Sequence, residues 1–159
     1  AFDYLPKEIG VKMYREPIER EINGKKFLIG HGDGLGPGDR KYKMLKKVFA
    51  NPACQWLFGW IHPNLGIGLA NYWSKKSRIS TGGYDKQFLG QENEWLAQYC
   101  ERKLQHKHYD YFIFGHRHLP LDLKVGQNSK YINLGDWIQD FTFAVFDGEK
   151  LELQQFDKP

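Results

Sequence analysis

Cysteine is scarce in these 159 residues: only Cys54 and Cys100 are present, with no Cys-x-x-Cys pair. A disulfide-stapled secreted scaffold is thereby excluded, and a reduced cytosolic setting is the default. A single Cys54–Cys100 bridge stays open. Internal repeats and low-complexity tracts are missing, so neither a solenoid nor a disordered linker is expected. The first residues, AFDYLPKEIG, have no basic region followed by an apolar core and do not read as a signal peptide. They also lack an initiator Met, so the chain is expected to be trimmed or a fragment. Charge of one sign is not in large excess. A net +4 is compatible with an anionic partner but does not argue for nucleic acid, and none is expected.

What is present reads as an ordinary globular chain, one domain or a large part of one. Its residues are 41% hydrophobic and 26% charged, the balance of a chain that builds a core. Aromatics reach 16%, so large flat surfaces must be buried or must meet a ligand.

Residues 18–22 alternate apolar and charged, Asn23-Gly24 follows, and 25–29 resume as a strand. Asn-Gly between two such runs predicts a type I′ hairpin. Alternation is lost at Phe27-Leu28-Ile29, as in a strand covered on both faces. PGDRKYKMLKKVFANP predicts a helix, with Asp39 as N-cap and Tyr42, Leu45 and Phe49 on one face. The next run, CQWLFGWIHPNLGIGLANYW, has no formal charge and is long enough for a membrane span. His62, Pro63, Asn64 and the internal glycines argue against one. Two short apolar helices joined near His62-Pro63 are expected instead, closed by a basic, flexible SKKSRISTGGYD. QFLGQENEWLAQYCERKLQ predicts an amphipathic helix through Phe88, Trp95, Leu96, Tyr99 and Leu104. YDYFIFGH, SKYINLGDW, FTFAVFDG and KLELQQF read as strands, the last two joined at Asp147-Gly148. The expected order is two strands, four helices, then four strands: a mixed α/β chain with an apolar helical insertion.

Two strands end in the same way, in GHGD at 30–33 and in GHRH at 115–118. A loop at a strand end is held in place by the strand yet stays accessible. Histidine there presents an imidazole nitrogen, and glycine beside it leaves room for an ion or a phosphate. If 116–118 stays extended, His116 and His118 project to one side with Arg117 opposite. Two such histidines with a third from another strand end make a metal cluster. The plainer reading of either loop alone is a polar cap on a strand. His62, His106 and His108 lack this setting. The last two lie where a helix should end, a place that suits solvation more than ligation.

GHGD and GHRH after two core strands resemble the calcineurin-like metallophosphoesterases. That resemblance implies an α/β fold, a metallophosphoesterase β-sandwich flanked by helices, here incomplete and carrying a helical cap insertion over 39–80. It implies that His31 and His116 ligate one metal and His118 the other. It also implies two divalent ions, manganese most often, with iron or zinc as alternatives. Between residues 31 and 78 the chain is similar, more narrowly, to the UDP-2,3-diacylglucosamine hydrolases of lipid A synthesis. Asp39 and Tyr42 would then contact the sugar nucleotide, and Ser77 and Arg78 would reach phosphate or acyl-amide groups from the cap. A guanidinium grips phosphate with two bonds, which gives Arg78 the clearest physical rationale. The implied reaction is hydrolysis of the pyrophosphate of UDP-2,3-diacylglucosamine to UMP and 2,3-diacylglucosamine 1-phosphate. The implied place is the cytoplasm, peripheral at the inner face of the bacterial inner membrane.

The family's Asp-x-His and Gly-Asn-His/Arg-Asp do not occur here, and no Gly-Asp stands upstream of the first histidine loop. By resemblance, 1–159 is the C-terminal portion of a single domain, and its partner is the missing N-terminal portion. No catalytic residue is assigned on this chain, and by itself it is expected to have little or no hydrolase activity. Asp33 and Asp136 are candidate acceptors that would orient a ligand histidine, with a turn role as the alternative. The apolar stretch holding Trp56, Phe58, Trp60, Leu65, Ile67, Tyr72 and Trp73 reads either as core or as an acyl-chain groove touching a membrane. Basic flanks, Arg40 to Lys47 and Lys75 to Arg78, suit an anionic lipid and leaflet. Two further readings stand beside the leading one: a metallophosphoesterase for a soluble nucleotide or phosphoester, and a non-catalytic lipid- or membrane-binding relative.

Overall fold

The computed structural model describes residues 4–36, 40–81 and 87–156, without the side chains of 40–43 and 76–81. In chain order its elements are α1 (Tyr4–Ile9), β1 (Ile18–Ile22), β2 (Lys25–Ile29), α2 (Arg40–Ala50), α3 (Pro52–Gly59), α4 (Pro63–Thr81) and a 3-10 turn (Gln91–Asn93). There follow α5 (Trp95–Leu104), β3 (Tyr111–Phe114), β4 (Pro120–Val125), β5 (Ser129–Leu134), β6 (Thr142–Phe146) and β7 (Leu151–Gln155). The chain divides into two compact units, Ala1–Gly32 with Cys100–Pro159, and Asp33–Tyr99. This is the mixed α/β architecture expected, with two sheets as in an incomplete metallophosphoesterase-like fold.

The first unit is built on a five-stranded sheet of order β1-β2-β3-β5-β4. Strands β2, β3 and β5 are parallel neighbours, and β1 and β4 close the edges antiparallel. The β1–β2 turn is the expected one: Asn23 and Gly24 both take positive φ, 49° and 75°, which a type I′ turn requires. In register, Leu28, Phe112 and Tyr131 lie side by side across the three central strands, and all are buried. The adjacent row of opposite parity points the other way. There Phe27, Ile29, Tyr111, Ile113, Ile132 and Leu134 pack against Ala144, Phe146, Leu151 and Leu153 of the β6–β7 hairpin. Phe27 meets Phe146 edge-on, with ring centroids 5.1 Å apart. Asp147 Oδ1 accepts from the backbone N–H groups of Glu149 and Lys150, which shapes that hairpin's turn.

Several expectations change. Strand β4 and helix α1 were not read from the sequence. Strand β4 carries Pro120, Asp122 and Lys124, composition that a strand tolerates at an edge. The predicted helix over 87–105 shortens to α5, preceded by the 3-10 turn, so Phe88 is exposed and lies outside it. Gly90, at φ 95°, sits where an α-helix could not continue.

In the second unit two helices do meet near His62-Pro63. Asn51 Oδ1 accepts from Ala53 N at 2.9 Å and Cys54 N at 3.3 Å, capping α3 with Pro52 at its first position. His62 Nδ1 accepts from Asn64 N at 3.3 Å, and the His62 carbonyl accepts from Leu65 and Gly66. His62 therefore starts α4. That helix runs through the SKKSRIST segment expected to be flexible, because nothing before Gly82 breaks it. Both cysteines are free thiols, which closes the disulfide question. Among the described residues no helix is long and apolar enough to cross a membrane.

Candidate metal centre

Three parallel strands end in one pattern: an apolar residue, a glycine, then a polar side chain. These are Ile29-Gly30-His31, Phe114-Gly115-His116 and Leu134-Gly135-Asp136. Parallel strands deliver their carboxyl ends to one edge of a sheet, where α/β proteins place their ligands. Packing is tight at two of the glycines, while a Cβ on Gly115 would meet only ordinary contacts, 3.8 Å from His31. A Cβ on Gly30 would lie 3.1 Å from Pro17 and 3.2 Å from Phe114, and one on Gly135 would lie 2.7 Å from Thr142 Oγ1 and 2.8 Å from Pro120.

The ladder between β2 and β3 continues past both strands. Gly30 N donates to the Ile113 carbonyl at 3.0 Å, and Gly115 N donates to the His31 carbonyl at 3.0 Å. That continuation brings the two loops together. His31 Nε2 lies 3.3 Å from His116 Nδ1, with the rings near perpendicular at 79°. Two nitrogens bound to one tetrahedral ion at about 2.0–2.1 Å are separated by about 3.3–3.4 Å. The pair matches a shared ion in spacing and donor type, and the same 3.3 Å contact is a hydrogen bond between the rings, its donor set by the tautomers. Among the described residues, no group of three or more His, Cys, Asp or Glu could hold a metal. An ion on this pair needs further donors, from water or from groups outside that set.

The extended geometry expected for 116–118 is not what forms. His116 and His118 both lie in the left-handed region, at φ 58° and 46°, and Arg117 N donates back to the Gly115 carbonyl at 2.6 Å. Non-glycine residues held there cost about 1–3 kcal/mol each, and such strain concentrates at functional sites. The consequence is divergence: His116 turns to His31, while His118 Nδ1 faces Asp136 Oδ2 at 4.0 Å. Nothing in the sequence marks this beyond the neighbouring glycine.

The two candidate acceptor carboxylates separate. Asp33 Oδ2 pairs with Lys46 at 2.9 Å, so one residue of the supposed basic flank serves an ion pair. Asp136 takes the turn role and lies near one histidine. Its Oδ1 accepts from Ile138 N at 2.8 Å and Gln139 N at 2.6 Å, and its Oδ2 faces His118.

Asp39 lies outside the described residues. Tyr42 falls on α2, and Ser77 and Arg78 on α4, with side chains outside the description. His106 follows the last turn of α5, with its N–H on the Lys103 carbonyl, and His108 lies 3.7 Å from Asp110, so neither joins the pair. Within the second unit, most of the apolar stretch is exposed, not core. Trp60 is 76% exposed and Leu65 70%, and Met44, Val48, Trp56, Leu57, Ile67 and Tyr72 are exposed too. Sequence reasoning also missed an exposed pair directly after Asp136, Trp137 and Ile138. The signal available was two large apolar side chains in succession where alternation stops.

No family model matches the chain. It is 35% identical, over 98% of its length, to the UDP-2,3-diacylglucosamine hydrolase of Porphyromonas gingivalis. The chain resembles UDP-2,3-diacylglucosamine hydrolases. Two more proteins of that name, from Yersinia pestis and a Shewanella species, are 27% and 26% identical over 94% and 91% of the chain. The chain spans 64%, 62% and 58% of these three relatives, so about three-fifths of each is matched.

Proposed function

We propose that this chain is part of a metal-dependent hydrolase that cleaves the pyrophosphate of UDP-2,3-diacylglucosamine, giving UMP and 2,3-diacylglucosamine 1-phosphate in lipid A synthesis. The observation that carries the reading is the convergence of His31 and His116 at 3.3 Å on the ends of adjacent parallel strands. Resemblance to hydrolases of that name over nearly the whole chain supports the same reading. His31 and His116 would hold one divalent ion and His118 would serve the second, manganese before iron or zinc. Such ions supply Lewis acidity and an activated water to phosphoryl chemistry. The chain's own residues position them: β2 and β3 fix the two loops, and the histidines bind through neutral imidazole nitrogens, so protons compete with the ion.

The remaining ligands would come from the part of the relatives that this chain does not match, which acts as the other portion of the same domain. Residues 39–80 would form a helical cap, and its exposed apolar side chains would take the acyl chains and meet the inner leaflet from the cytoplasmic side. Asp39 and Tyr42 would contact the sugar nucleotide, and Ser77 and Arg78 the phosphate or acyl-amide groups. Exposed Trp60 and Leu65 favour a lipid-linked substrate over a soluble one. The test is UMP release by the whole protein, with Mn2+ and detergent, from the diacylated UDP-sugar and from a soluble UDP-sugar. Selective cleavage of the diacylated substrate is expected. Equal turnover of both would favour the soluble-substrate reading, and no turnover of either would leave a non-catalytic lipid binder.

A further inference from the structure

The third strand-end loop, Leu134-Gly135-Asp136, has a polar side chain that the function above leaves unused. Its carboxylate divides its two oxygens between two tasks. Oδ1 is fixed by two backbone donors, Ile138 N at 2.8 Å and Gln139 N at 2.6 Å. Oδ2 is thereby aimed at His118 Nδ1, 4.0 Å away. The side chain is only 8% exposed, so it keeps that aim without much water around it. Behind it, Asn133 is fully buried, and its Oδ1 accepts from Gly135 N at 3.2 Å. The Phe141 N–H closes the loop on the Asp136 carbonyl at 3.0 Å. A carboxylate held this firmly is a fixed negative charge. At 4.0 Å the contact is longer than a hydrogen bond and acts on the ring through the charge of the carboxylate.

We infer that Asp136 is a positioning residue: it holds His118 in the tautomer with hydrogen on Nδ1 and leaves Nε2 as the nitrogen that coordinates. A neutral imidazole turns its N–H toward a fixed carboxylate and its lone pair away. Carboxylates that orient metal-binding histidines work in this way, and losing them lowers affinity about 10–100-fold. The assignment sets His118 apart from His116, which presents Nδ1 to its partner. The tautomer is inferred from the charge of Oδ2 standing 4.0 Å from Nδ1. Its consequence for metal binding rests on the reading of His118 as a ligand.

Asp136→Asn separates orientation from structure. The Asn Oδ1 still accepts from residues 138 and 139, so the loop survives. Its amide N–H2 faces His118 Nδ1 and favours the opposite tautomer. Nitrogen-15 NMR of His118 in the metal-free protein should show Nε2 unprotonated in the wild type and protonated in D136N, with the amide signals of 137–141 unchanged. Titration with Zn2+ alone should show about 10–100-fold weaker binding in D136N. A wild-type His118 protonated on Nε2 would overturn the assignment, as would a D136N protein with an unchanged tautomer. A changed tautomer with unchanged Zn2+ affinity would uphold the positioning and would sink His118 as a ligand.

Discussion

Phe112 is the residue whose truncation should most directly disturb the frame beneath both histidine loops. It is fully buried in β3, flanked in register by Leu28 and Tyr131, and its ring centroid lies 5.3 Å from that of Tyr109. Strands pair with β3 on both edges, so the backbone has little freedom to collapse into a cavity. Phe112→Ala should therefore cost about 3–5 kcal/mol, a large share of the roughly 5–15 kcal/mol that holds a domain together. With a urea slope near 2 kcal/mol/M, a loss of ~3 kcal/mol moves the unfolding midpoint down by about 1.5 M. Phe112→Leu, which keeps most of the volume, should shift it by well under half of that. The assay is urea unfolding followed by circular dichroism, with slopes compared between variants. A shift below about 0.5 M at unchanged slope would refute the placement of Phe112 at the centre of the core.

Two further predictions concern the β1–β2 pair and its neighbour. Gly24 has open space around it, so Gly24→Val is penalised by backbone conformation alone, at φ 75°. It should lower stability by about 1–2 kcal/mol, and Gly24→Asn by less. Equal urea midpoints for Val and Asn would contradict the type I′ turn. Asp110 carries a pH dependence. Burial pushes its carboxyl up, but the Lys26 N–H at 2.8 Å and the charges of Lys25 and His108 outweigh it and hold the carboxyl below its ordinary value. Its contribution is then fully present above the unfolded value of about 3.9 and is lost as pH falls through the lower folded value. The urea midpoint of wild type should exceed that of Asp110→Asn at pH 6, and the gap should close near pH 2. A gap independent of pH would rule the ion pair out as its source.

Local chemistry made much of this legible before the fold was known. Asn23-Gly24 dictated a turn, the continuous apolar runs at 27–29 and 111–114 marked strands covered on both faces, and Gly-His after each marked the loops. What stayed hidden depends on partners distant in sequence. Strand β4 exists because β5 offers it an edge, and its Pro120 and Lys124 hide it from any apolar pattern. The divergence of His116 and His118 is a backbone event, a left-handed turn at two non-glycine residues, and no periodicity encodes it. Asp136 was visible as a candidate to orient a ligand histidine and, alternatively, as a turn residue, but which histidine it would meet was not. That its second oxygen faces His118 follows from the parallel alignment of β3 and β5.

In the proposed function, His31 and His116 jointly hold an ion on which hydrolysis depends. The most direct measurement is Mn2+-dependent UMP release from UDP-2,3-diacylglucosamine by the whole protein and its His116→Ala variant, with Mn2+ binding followed in parallel. The account predicts metal-dependent turnover in the wild type. In the variant it predicts weakened Mn2+ binding and turnover reduced at least about a hundredfold, or roughly 2.7 kcal/mol in barrier. A folded His116→Ala protein that binds Mn2+ and turns over substrate like the wild type would contradict it.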